Sequence, residues 1–249
     1  MALVASLDRL SRLAVLPTGA IVWAQGRRLR RDVPRLPDAA PPWRGSIDGP
    51  DPLRLIVMGD STAAGVGAAT QDEALPGHLG RELAARTGRG VEWRAIGENG
   101  ADAREFIAGY LDDAVSEPWD VAFVSLGAND ALGLRSRRAF ARNIGVILDR
   151  ITASSPHARI LVSSLPAFPR FVLLPQPLKW NLALHARNLE AGARAVVARH
   201  PNAHMSPPPP PYTPGFFATD DFHPSAQGYR DWARFAIDDA VTSSALPGV

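Results

Sequence analysis

The chain has 249 residues, 46% hydrophobic and 21% charged, with a net charge of +2. That is enough apolar material for one sizeable core, and the near-neutral balance supplies no polycationic surface of the kind nucleic acids require. With no Cys in the chain, disulfides, thiolate metal sites and a cysteine nucleophile are excluded; the absence also fits the cytoplasm.

Residues 13–24 (LAVLPTGAIVWA) form an apolar run too short to span a bilayer. Arg9 and Arg12 precede it as in a signal peptide, yet Arg27, Arg28, Arg30 and Arg31 follow where small residues and a cleavage site would be needed. Pro17 and Gly19 break any continuous helix. The run reads as a segment folded onto the domain surface. The alternative is peripheral membrane contact, with the Arg cluster near anionic lipid. Residues 32–52 are rich in Pro, Asp and Gly and read as a linker or surface arm. The expected organisation is therefore an arm and linker over 1–50 and one domain over 51–249.

The regular pattern begins at Leu53 to Met58 (LRLIVM), a short apolar run suited to a buried strand. Leu75, Leu79 and Leu83 recur at helical spacing within 73–87. Val91 to Ile96, Val121 to Leu126 and Arg159 to Leu165 read as further strands. Phe140, Ile144, Ile147, Leu148 and Ile151 mark one face of a helix. Another helix is expected over Trp180 to Arg199, and a last one including Trp232, Phe235 and Ala236. Strands alternating with helices imply an α/β fold, a mostly parallel sheet covered on both sides. In such sheets functional loops gather at the carboxyl ends of the strands. The Pro207–Pro211 run is too stiff and donor-poor for helix or sheet interior.

Three short blocks carry chemistry. Gly59-Asp60-Ser61 follows the first of these strands, where a Ser can present its hydroxyl from a sharp turn; taken alone it equally suits a helix cap. Gly127-Ala128-Asn129-Asp130 follows the strand VAFVSL. It can offer a side-chain amide to an oxyanion, or be an ordinary turn. Asp220-Asp221-Phe222-His223-Pro224 puts a carboxylate three residues before an imidazole, close enough to accept its Nδ1 proton and leave Nε2 free. The other five histidines (His78, His157, His185, His200, His204) show no metal-ligand spacing with it. Gly65-Val66-Gly67-Ala68-Ala69-Thr70 looks like a dinucleotide fingerprint but lacks its third Gly.

These blocks occur in order, with Asn99-Gly100 between the first and second, and together the chain resembles the SGNH, or GDSL-type, hydrolase family from about Leu53 onward. The resemblance implies a three-layer α/β/α sandwich around a flavodoxin-like sheet, with Ser61 as nucleophile, His223 as base and Asp220 as its orienting partner. It further implies an oxyanion hole made of the N–H groups of Ser61 and Gly100 and the amide of Asn129, with no metal or organic cofactor. Thr62 stands where the GDSL name has Leu, and the second block is loose, with Gly97 competing for the role of Gly100. The expected activity is hydrolysis of short- to medium-chain or aryl carboxylic esters through an acyl-enzyme. The alternatives are a thioesterase or carbohydrate O-deacetylase with the same triad, and a non-catalytic ligand- or membrane-binding module. Two long apolar loops, 166–179 and 205–219, are expected to form the substrate pocket with Phe168, Phe171, Leu173, Phe216 and Phe217.

Overall fold

Six strands form one sheet in the computed structural model, which describes residues 11–13 and 15–246: β1 (Arg44–Ile47), β2 (Leu53–Gly59), β3 (Val91–Gly97), β4 (Val121–Ser125), β5 (Arg159–Val162) and β6 (Ala203–Met205). Their order across the sheet is β1-β3-β2-β4-β5-β6, with β1 antiparallel to β3 and the rest parallel. The five parallel strands thus follow the flavodoxin order. The chain leaves β2 toward β3 on one side and resumes at β4 on the other, so a crevice opens beyond the carboxyl ends of β2 and β4. Ser61 and Asn129 both follow those two ends.

The helices, in chain order, are α1 (Gly19–Asp32), α2 (Leu75–Thr87), α3 (Ala103–Gly109), α4 (Leu111–Ala114), α5 (Ala128–Leu132), α6 (Arg137–Ser154), α7 (Leu178–Val197) and α8 (Ala226–Thr242). The pleat of β2 sorts its apolar run onto two faces. Leu55 and Val57 join Phe123 and Leu161 under α2 and α8, while Ile56 and Met58 join Val124 and Ile160 under α3, α6 and α7. Fully buried anchors such as Phe106 and Phe140 each contribute about 1.5–3 kcal/mol of burial. Starts are set by local chemistry: Asp102 and Glu105 form a capping box on α3, and Ser136 and Ser225 cap α6 and α8.

The structure departs from the sequence expectation at the N-terminal side. Part of the segment expected as linker forms β1, whose residues alternate between half-buried and exposed along the edge of the sheet. Arg-Gly-Ser-Ile contains one apolar residue, so no periodicity marks it. The break expected at Pro17 and Gly19 is a 3₁₀ turn over Leu16–Thr18, after which α1 runs from Gly19 through the Arg cluster. The arm packs on the domain: Gln25 bonds the backbone of Gln176 and Leu178, Asn181 donates to Thr18 Oγ1, and Val22 and Leu29 meet the core. Arg9 lies outside the described residues, among which no helix is long and apolar enough to cross a membrane.

Candidate active site

The turn after β2 is built by close approach. A Cβ on Gly59 would lie 2.0 Å from the Ser125 carbonyl oxygen of β4, so only Gly lets the two strands end side by side. Asp60 then closes the turn: its Oδ1 accepts from the Thr62 N–H (3.1 Å) and the Thr62 hydroxyl (3.0 Å), and Thr62 Oγ1 lies 2.7 Å from Ser125 Oγ. Burial pushes the Asp60 carboxyl up, against those hydrogen bonds. Ser61 is left at the head of the turn with its hydroxyl 3.1 Å from His223 Nε2. The segment it opens is turn rather than helix, and its hydroxyl faces the imidazole, so the helix-cap reading does not hold.

The histidine loop is folded by the carboxylate it contains. Asp220 Oδ1 accepts the N–H groups of Phe222 (3.0 Å) and His223 (2.9 Å), while Oδ2 lies 2.6 Å from His223 Nδ1. Asp221 sits at φ 53°, a left-handed conformation that Asp tolerates better than most residues. Burial alone would raise the Asp220 carboxyl. The bonds from the His223 ring and from the two N–H groups outweigh it and hold the group below its ordinary range. The second glycine of the stretch that resembled a dinucleotide fingerprint serves this loop: a Cβ on Gly67 would lie 2.2 Å from the Pro224 oxygen, and the Tyr229 hydroxyl donates to the Val66 carbonyl.

Two glycines compete for the third position. Gly97 ends β3, and a Cβ there would meet Ala64 N at 2.6 Å, so its role is packing. Gly100 sits in the following turn at φ 91° with open space above it. Asn129, in the first turn of α5, is tied by an Nδ2 bond to the Ala101 carbonyl (3.0 Å), and its second amide proton has no partner among the described residues. The N–H groups of buried Ser61 and exposed Gly100 have no hydrogen-bond partner among the described residues, which is unusual for the buried one.

Asp130 closes the same corner by accepting the Ala103 N–H at 3.0 Å. Burial pushes its carboxyl up to about 6. A carboxyl raised in the folded state costs nothing below the unfolded value near 3.8, loses stability as the pH rises toward 6, and carries its full penalty above. Asp130→Asn keeps the acceptor and removes the charge. It should therefore stabilise the protein by about 2–3 kcal/mol at pH 7.5, with the gain vanishing below pH ~4. Chemical denaturation of both proteins across this range checks it; a pH-independent difference would refute the assignment.

Two cavities flank His223 and Phe222. The first, of about 130 Å³, is bounded by Ser61, the Pro209–Pro211 run, Phe171, Phe216, Phe217 and, from α8, Trp232 and Phe235. The second, of about 810 Å³, is a groove that starts at Asp220, His223 and Gly100 and runs between α1, the start of α7, and Leu132, Leu134, Leu173 and Leu174. Of the expected pocket residues, Phe171, Phe216 and Phe217 line the first cavity and Leu173 the second. Phe168 is a correction: it is fully buried in the core beneath the 3₁₀ turn Phe168–Arg170, packed on Phe171, and lines neither. Trp232 and Phe235 were legible only as a helix face, and nothing in the sequence brings α1 to the site.

Comparisons with known proteins bear on the family and the fold. Residues 57–230, more than half of the chain, match the model of the GDSL-like lipase/acylhydrolase family. The chain is 31% identical over 215 residues to the GDSL-like esterase Rv1075c of Mycobacterium tuberculosis, covering 80% of this chain and 66% of that relative. Its fold is similar to the lipase Lip_vut3 from a goat rumen metagenome (TM-score 0.58, 16% identity, 79% of this chain and 98% of that one). It is similar in the same way to a lipase/acylhydrolase of Enterococcus faecalis (TM-score 0.58, 21% identity, 77% and 96%). With the family model matched over residues 57–230, a span that holds Ser61 and the Asp220–His223 pair it is hydrogen-bonded to, the chain belongs to the GDSL-like lipase/acylhydrolase family of ester hydrolases.

Proposed function

We propose that the protein hydrolyses carboxylic esters of short- to medium-chain acids or aryl alcohols, with Ser61, His223 and Asp220 as its catalytic triad. The observation that carries this reading is the line of hydrogen bonds from Ser61 Oγ to His223 (3.1 Å) and from His223 to Asp220 (2.6 Å). Asp220 accepts the Nδ1 proton and so presents Nε2 as the acceptor of the serine proton. As Ser61 attacks the acyl carbon, its proton passes to Nε2 and the C=O electron pair moves onto the carbonyl oxygen. The two unpartnered N–H groups, of Ser61 and Gly100, and the free amide proton of Asn129 are preorganised for that charge, and so stabilise the transition state more than the ground state. Protonated His223 gives its proton to the departing alkoxide as the C–O bond breaks, and water repeats the sequence on the acyl-enzyme. The small aromatic cavity favours compact apolar groups over sugars, which favours simple esters over acetylated carbohydrate. The test is turnover of p-nitrophenyl acetate by Ser61→Ala protein: loss of activity in a folded variant supports the reading, and wild-type turnover ends it.

Peripheral contact with an anionic lipid surface is the second part of this reading. Leu16, Ile21 and Trp23 are exposed on and beside α1, Val172 and Trp180 on the neighbouring elements, and Arg27 lies 4.9 Å over the Trp23 ring. Apolar side chains next to guanidinium groups suit the boundary between acyl chains and phosphate headgroups. Sedimentation with phosphatidylglycerol vesicles should retain the wild type and release a Trp23→Ala/Ile21→Ser variant. Equal retention of the two would remove α1 from any membrane role.

A further inference from the structure

The groove beside the triad has one wall that the family match does not include. That match begins at residue 57, whereas Val22, Gly26 and Leu29 of α1 face the groove from residues 19–32. The opposite side comes from Leu132 at the end of α5 and Leu134 just after it, and from Leu173 and Leu174 in the loop before α7. At its inner end the groove reaches Gly100, Asp220 and His223, and it shares Phe222 and His223 with the cavity that Ser61 lines, so it borders the reacting pair rather than lying apart from it.

We infer that α1 is a substrate-binding element, and that this groove holds the acyl chain of the ester while the acyl group is on Ser61. The inference rests on the ester-hydrolase reading above and adds the substrate's shape: an unbranched apolar chain longer than the small aromatic cavity can take. Three observations favour an acyl chain as the occupant. The lining is dominated by aliphatic side chains, which match a polymethylene chain better than a sugar or a peptide. The volume, about 810 Å³, falls in the range of about 300–1,000 Å³ typical of small-molecule sites. The groove also opens beside Gly100, the oxyanion side in the mechanism proposed above, whereas the aromatic cavity opens on Ser61 and His223. On this assignment the chain that stays through the acyl-enzyme takes the groove, and the alcohol departs past the aromatic rings.

Anchoring supports a fixed wall. Besides the Gln25 and Thr18 bonds to α7, Ser11 Oγ lies 3.2 Å from the buried His185 Nδ1, and Asn188 donates to the same hydroxyl. His185 Nε2 in turn lies 3.0 Å from the Arg135 carbonyl, next to Leu134 of the opposite wall. Both sides of the groove are thereby held by one hydrogen-bonded column through α7.

The experiment uses the full chain and two substrate series: p-nitrophenyl esters from acetate through butyrate, hexanoate and octanoate to decanoate, and acetate esters of alcohols of rising length. In the wild type, kcat/KM should climb along the acyl series by about 4-fold for each methylene that the groove buries, and rise less along the alcohol series. Val22→Trp on α1 and Leu173→Trp on the facing loop should each fill the groove. Each should lower the ratio of decanoate to acetate kcat/KM by at least about 30-fold, the equivalent of two to three buried methylenes. If Val22→Trp loses its fold by circular dichroism, Leu173→Trp and the milder Val22→Ala, expected to move the optimum to a longer acid, decide the matter. Unchanged ratios in folded variants, or a length dependence confined to the alcohol series, would overturn the inference while leaving the hydrolase reading intact. Quenching of Trp fluorescence by decanoate in Ser61→Ala protein tests the groove even if the nucleophile assignment fails. No saturable quenching there counts against it.

Discussion

Ser61→Ala is expected to lower kcat for p-nitrophenyl acetate by on the order of 10⁵–10⁶ while leaving the protein folded. Loss of a serine-hydrolase nucleophile removes the covalent path altogether, and its effect is close to that of removing the whole triad. What remains is water attacking a carbonyl still polarised by the proposed oxyanion donors, the Ser61 and Gly100 N–H groups and Asn129, on the order of 10³–10⁴ above solution. The change deletes one oxygen from a buried site whose hydrogen bond to His223 contributes about 0.5–1.5 kcal/mol. A collapse in stability is therefore not the cause of the lost rate. The cycle with His223→Ala is the sharper measurement. If the two residues act as one unit, the double variant should be scarcely slower than either single one, far from the product of the two losses. Additive losses, or a Ser61→Ala rate within tenfold of wild type, would mean that the hydrogen bond at 3.1 Å is structural.

The parts of this site differ in how far they can be read from the chain, and the reason is physical in each case. Buried parallel strands announce themselves because both faces are apolar, so β2 and β4 stand out as LRLIVM and VAFVSL, and with them the turns that carry Ser61 and Asn129. The Asp220–His223 pair is legible because its geometry is local: three residues suffice for one carboxylate to bind two N–H groups and the ring. Edge strands lack that signal. β1 and β6 have only four and three residues, and their pairing with β3 and β5 is decided by the sheet already formed. The choice between Gly97 and Gly100 is undecidable from composition. The two differ in what a side chain would strike, Ala64 in one case and nothing in the other, and that difference is tertiary. Phe168 and Phe171 look equivalent in sequence, yet the 3₁₀ turn Phe168–Arg170 sends the first into the core and the second to the cavity. The wall contributed by α1 is a purely tertiary fact, since some seventy residues separate Leu29 from Gly100.

Asp220→Asn should cost on the order of 10⁴ in kcat with little change in KM, because it leaves the shape of the site intact and reverses one proton. Asn can still accept from the Phe222 and His223 N–H groups through Oδ1, so the loop keeps its fold. Its other terminus, however, is an NH₂ group facing His223 Nδ1. The imidazole must then accept there and carry its proton on Nε2, pointing at Ser61, where it can take no proton from the hydroxyl. The imidazolium formed during attack also loses the adjacent carboxylate. Asp220→Ala is the companion: it should be comparably slow and, by leaving the two loop N–H groups unsatisfied, also lower the melting temperature. The wild-type carboxyl lies below its ordinary range. Its contribution to stability is therefore complete above the unfolded value near 4 and is lost as the pH falls through the folded one, a dependence that Asn should abolish. Stopped-flow and steady-state rates with a short acyl ester, alongside thermal melts between pH 3 and ~7, separate these effects. An Asn variant within tenfold of wild type would reduce the contact at 2.6 Å to loop scaffolding and take the orienting role away from Asp220.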